Sequence, residues 1–155
     1  MTTIQTFLAD QYEIELSAFR AVLESIPEGT FSTARLGHSP AWHALHIADW
    51  LRLTVLEDKT STYNFLGWED QAWAQNLNGL APVDEDADQA AILAHLGSVG
   101  AQAVAYLRGA SDADLSGMAF SPSAPNGERP RLAALGMHLR HIAYHRGQVQ
   151  LGKKA

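Results

Sequence analysis

Four stretches of this chain repeat apolar residues every three or four positions, the spacing that lines one face of an α-helix. The first covers about 3–25, where Leu8, Tyr12, Leu16, Phe19, Leu23 and Ile26 share a stripe before Pro27 and Gly29 stop it. The second covers about 40–58. Ser39 can cap it, and Pro40 suits a first turn whose N–H would be unpaired anyway. Trp42, His46, Trp50 and Leu53 then share a face. The third, about 87–108, is opened by Asp86 or Asp88, carries Ile92, Leu96, Val99, Ala103 and Leu107, and closes at Gly109. The fourth, about 131–151, follows Arg129-Pro130.

Four amphipathic helices in 155 residues predict one domain over 1–155, an all-α four-helix bundle. Two long connections, 59–86 between the second and third helices and 110–130 between the third and fourth, leave room for a crossover. The first holds GWEDQAW, with space for a short helix. The second holds SPSAPNGERP, whose Asn126-Gly127 signals a turn. Nothing alternates with a period of two for long enough to predict a sheet.

The composition removes several kinds of chemistry. With no cysteine, the chain has no disulfide, no zinc–thiolate site and no thiol nucleophile of its own. A transition metal would need nitrogen and oxygen ligands, and thiol chemistry would need an external thiol. A net charge of −6 with no basic block argues against nucleic acid. The chain starts without a basic leader and apolar run, and no window is apolar throughout for ~18 residues. The expectation is a cytoplasmic protein with no membrane partner, acting on a small molecule.

Three histidines fall within HLRHIAYHRGQ on the fourth helix. At 100° per residue, His138, His141 and His145 lie within about 60° of one another, on the stripe that carries Leu135, Ile142 and Val149. His141 and His145 are four apart, with Cβ atoms about 5–6 Å from each other, so both rings can meet one ion. His46, between Trp42 and Trp50 on the second helix, can complete a three-nitrogen set from across the bundle. Burying several imidazoles costs free energy unless each finds a partner, and a shared metal supplies one to all. Three nitrogens leave coordination positions open, as in catalytic sites. Zn, Ni, Mn and Fe all accept imidazole. The pair reads HIAYH, without the glutamate of HExxH, which argues against a metalloprotease.

Other residues carry two readings each. His138 is a donor behind the ligands or a core residue. His43 sits one turn before His46. Asp49, one turn after it, either orients an imidazole or is a surface charge. Trp42 and Trp50 are pocket wall or ordinary core. His38 is expected exposed, His95 structural and Tyr144 packing. Arg146 is expected to pair with a helix carboxylate. Arg129 and Arg131 either receive a substrate carboxylate or are solvated loop charges.

WHALHIADW (42–50) together with HIAYHRGQ (141–148) resembles the DinB/YfiT-like superfamily of metal-dependent enzymes. The resemblance implies an up-down-down-up bundle with a crossover, a divalent ion on His46, His141 and His145, and often a homodimer. Some relatives are thiol-dependent transferases or isomerases that use low-molecular-weight thiols such as mycothiol or bacillithiol. The expected function is therefore a thiol-dependent transferase acting on a small electrophile. The alternatives are a hydrolase using activated water, a non-catalytic metal- or ligand-binding bundle, and a plain interaction bundle.

Overall fold

The computed structural model describes all of residues 1–155. Four long helices dominate it: α1 (Ile4–Glu24), α2 (Pro40–Trp50, continued by a wider π-helical turn over Leu51–Val55), α4 (Gln89–Gly109) and α5 (Arg131–Gly152). A one-turn helix, α3 (Ala72–Gln75), lies in the connection 59–86, and a 3-10 turn (Glu28–Thr30) follows α1. The starts follow local chemistry. Thr3 accepts the Thr6 N–H at α1, and Ser39 accepts the Trp42 N–H at 3.0 Å with Pro40 in the first turn of α2. Asp88 rather than Asp86 is the residue before α4, which ends at Gly109.

The apolar stripes meet in one core. α1 packs on α4 and α5, and α2 packs on the same two helices. Tyr12, Phe19, Leu23, Ile47, Leu51, Ile92, Leu107, Leu135 and Ile142 are among its most deeply buried members. Tyr12 also ties α1 to α5, its hydroxyl donating to the Leu135 carbonyl at 2.6 Å. By composition α4 could cross a membrane, with a mean hydropathy of 1.4 over eighteen residues. Its many alanines contribute to that value, while Ile92, Leu96, Val99 and Leu107 point into the core.

The connection 110–130 corrects the expectation of no sheet. Met118–Phe120 (β1) pairs antiparallel with Glu128–Pro130 (β2), in the register Met118↔Pro130, Ala119↔Arg129 and Phe120↔Glu128. Strands of three residues are too short for alternation to show in sequence. The turn signal at Asn126-Gly127 was the visible part: Gly127 has φ +78°, and its carbonyl accepts the Ser121 N–H at 2.8 Å.

Leu53 also departs from its expected stripe. It joins Trp50, Tyr63 and Leu66 in a smaller cluster beneath the connection 59–86. Thr54, four residues after Trp50 and within the π turn, follows Trp42, His46 and Trp50 along the cavity wall. Arg52, on the same turn, reaches Asp58 at 3.0 Å and stacks over the Tyr63 ring, which fastens the start of the connection to the helix.

Candidate metal centre

The rings of His46, His141 and His145 turn toward one point between α2 and α5. His141 Nε2 lies 3.1 Å from His46 Nε2 and 2.9 Å from His145 Nε2. The group that converges has three members, each offering one nitrogen, and no carboxylate joins it. Two are buried and His141 is half-buried.

Proton bookkeeping shows what such a cluster needs. His46 Nδ1 lies 2.6 Å from the Phe65 carbonyl, which can only accept, so Nδ1 carries the proton and Nε2 presents a lone pair. His145 Nδ1 faces His43 Nδ1 at 2.8 Å and shares one proton with it. When His145 donates there, its Nε2 is a second bare lone pair. His141 Nε2 carries at most one proton and cannot serve both neighbours. Burial, reinforced by the neighbouring imidazoles, holds His46 well below the usual histidine range and His145 at about 3. Burial holds His141 at about 4. Neutral rings with converging lone pairs fit a divalent cation, which uses all three nitrogens at once.

The loop that fixes His46 is itself held by α2. Asp49, expected to orient an imidazole or lie on the surface, does neither. It is 2% exposed and accepts the Phe65 N–H at 3.0 Å and the Asn64 N–H at 3.4 Å, with Arg52 at 3.5 Å. Burial pushes its carboxyl up to about 6, against the pull of those partners. Asp49 thus reaches His46 through one peptide unit, the residue whose carbonyl sets the His46 tautomer. Trp50 adds a second tie, its indole N–H donating to the Leu66 carbonyl at 3.0 Å. Gly67 follows with φ +79°, and a Cβ there would stand 3.4 Å from the His46 ring.

His43 lies behind His145 and His138 beside His141, and neither reaches the convergence point. The His138 ring is 5.5 Å from that of His141, and its buried Nε2 has no partner. Trp42 stacks on His46 at 4.4 Å, as a wall residue does. His38 is exposed as expected, yet its ring stacks on the other aromatic neighbour, Trp42, at 3.5 Å. Tyr144 is 60% exposed with its ring edge against His145, so it packs less than expected. Arg146 pairs with Glu15 of α1 at 3.2 Å. His95 stays apart on α4.

Both loop arginines depart from their expected roles. Arg131 is the first residue of α5, 2% exposed, and donates to the Thr54 and Val55 carbonyls at the end of α2. Arg129 donates to the hydroxyls of Ser121 and Ser123.

A cavity of about 400 Å³ opens onto the three histidines. Both long connections line it, with Leu66, Gly67 and Trp68 from one and Pro122 and Ser123 from the other. A family model described as the DinB superfamily matches residues 11–149. The chain belongs to the DinB superfamily. Comparison with curated proteins and with solved structures gives no match. Membership in the DinB superfamily and the three-histidine cluster are together compatible with a protein that binds a divalent metal. In this DinB-superfamily chain the parts hidden from sequence reasoning are the Phe65 carbonyl and the Leu66–Gly67 peptide. Thr54, four residues after Trp50, and Met137, four residues before His141, also line the cavity, and both were readable from helical spacing.

Proposed function

We propose that the protein is a metal-dependent enzyme, a transferase that activates a low-molecular-weight thiol for attack on a small electrophile. The observation that carries this reading is the convergence of three neutral imidazole nitrogens, unaccompanied by a fourth protein ligand, at the base of a small-molecule cavity. His46, His141 and His145 would hold the ion, with Zn, Ni, Mn and Fe as the candidates. When bound, such an ion stabilises the anionic form of a thiol at an open position. The chain's own residues do the rest. The Phe65 carbonyl fixes the His46 tautomer, His43 fixes that of His145, and Trp42 and Trp50 keep water from one side. The absence of cysteine agrees with a thiol that arrives from outside.

The same reading takes the helices as an up-down-down-up bundle with a crossover. It is supported by the packing of both α1 and α2 on α4 and α5, which sets the first two helices at opposite corners.

Metal analysis of protein purified without an affinity tag tests the centre. About one divalent ion per chain is expected for the wild type and almost none for His141→Ala. Thiol consumption with electrophilic acceptors tests the reaction, and it should require both the ion and His141. A wild-type protein that retains no ion under any reconstitution sinks the reading.

A further inference from the structure

The cavity above the three histidines has no carboxylate, ammonium or guanidinium in its wall. None of its lining residues is Asp, Glu, Lys or Arg. The charges nearest to it are turned to other work. Asp49 accepts the Phe65 and Asn64 N–H groups, and Glu69 accepts the Gly67 N–H at 2.8 Å. Arg129 donates to two serine hydroxyls, one of them Ser123, and so stands behind the wall rather than in it, while Arg131 is held at the end of α2. Apart from the histidines, the wall is apolar or neutral: the Trp50 and Trp68 indoles, Leu66, Pro122 and Met137, with the Thr54 and Ser123 hydroxyls among them.

We infer that the cavity selects a ligand whose body, apart from the atom that reaches the histidines, is uncharged and mainly apolar. This rests on reading the three-histidine point as the reacting end of the cavity. An ionised group on the body would lose hydration and find no countercharge in the wall itself. A cation could in principle use an indole face. Trp42, however, already stacks in near-parallel fashion with His38 at 3.5 Å and with His46 at 4.4 Å, and the Trp50 and Trp68 rings both pack against Trp73, at 6.3 and 6.0 Å. A neutral body keeps the dispersion and hydrophobic gain against the indoles and Met137, and the two hydroxyls can take a polar substituent. Thiols and acceptors bearing free carboxylates or ammonium groups on their body are therefore selected against.

Calorimetric titration of chelator-treated full-length protein with three naphthalene probes tests this. The probes are the 2-carboxamide, the 2-carboxylate and the 2-methylammonium, which differ essentially in charge. Removing metal keeps the carboxylate from binding simply as a ligand to it. The carboxamide should bind about tenfold or more tightly than either ion. Ser123 is exposed at the cavity rim, so Ser123→Lys should fold and should raise carboxylate affinity about tenfold. The inference fails if an ionic probe matches the carboxamide, if no probe binds, or if Ser123→Lys leaves the preference unchanged. Each of these leaves the metal analysis above untouched. Conversely, a carboxamide preference in a protein that never retains metal sinks the enzyme reading alone.

Discussion

His43 Nδ1 lies 2.8 Å from His145 Nδ1, joining the first turn of α2 to the last turns of α5 behind the three-histidine point. One proton serves both nitrogens, so His43 decides whether His145 shows its Nε2 as a lone pair. Partners of this kind hold ligand rings in orientation and tautomer. His43→Ala should weaken metal affinity by roughly 10–100-fold with little change in helical content. His43→Gln, whose amide oxygen can still accept, should recover part of the loss. Competition with a metallochromic chelator measures both. Equal affinity in the wild type and His43→Ala would show that His145 needs no such partner.

Asp49 makes a second prediction because it holds a loop rather than a ring. Its loss leaves two backbone N–H groups without an acceptor and Arg52 without its buried neighbour. Asp49→Ala should cost about 3 kcal/mol or more in unfolding free energy, the range for breaking a buried pair from one side. Asp49→Asn keeps an acceptor for Phe65 and should cost less. Urea unfolding of both variants provides the comparison. A loss below ~1 kcal/mol for the alanine variant would mean that the loop is held without Asp49.

The helices and the histidine trio were legible because both depend on helical spacing. His141 and His145 share a face through i, i+4, and Trp42, His46 and Trp50 repeat the same step on α2. The walls were not legible, because they come from segments without periodicity. The Phe65 carbonyl and the Leu66–Gly67 peptide are backbone features, and no residue type announces them. Thr54 was within reach of the same spacing, four residues after Trp50, but a threonine in that series gives no sign of lining a cavity. Asp49 misled because its partners lie fifteen and sixteen residues away in a loop. The β1–β2 hairpin was hidden by its length.

Acid should destabilise the metal-free protein. His43 and His141 are held at about 4 and His145 at about 3, chiefly by burial, against 6.5 in the unfolded chain. Between those values the unfolded state takes up protons that the native state refuses. The stability from these neutral rings is complete above pH ~6.5 and is lost as pH falls toward 4. Asp49 runs the other way. Raised from 3.8 to about 6, its contribution is present at low pH and lost as pH rises to about 6. His46, His95 and His138 are shifted down as well, so six imidazoles oppose the one raised carboxyl and the net midpoint should fall on acidification. Thermal unfolding of chelated protein from pH 7.5 to 4.5 checks this. A midpoint that stays level or climbs with acid contradicts it.

Arg131 should matter for stability and not for metal. Its guanidinium closes two carbonyls at the end of α2, one of them Val55 at 2.9 Å, and so fixes where α5 begins against the π turn. Hydrogen bonds from a charged donor are the stronger kind, and the freed carbonyls would be left buried. Arg131→Met should therefore cost about 2–3 kcal/mol. Arg129→Met, which loses bonds to serine hydroxyls near the surface, should cost less than ~1 kcal/mol. His141 and His145 lie ten and fourteen residues further along α5, about three to four turns away. The folded Arg131→Met protein should keep its ion, with affinity within about threefold of the wild type. Denaturant midpoints and metal content measured on the same preparations separate the two effects. Loss of metal from a well-folded Arg131→Met protein would mean that the start of α5 sets the ligand geometry directly.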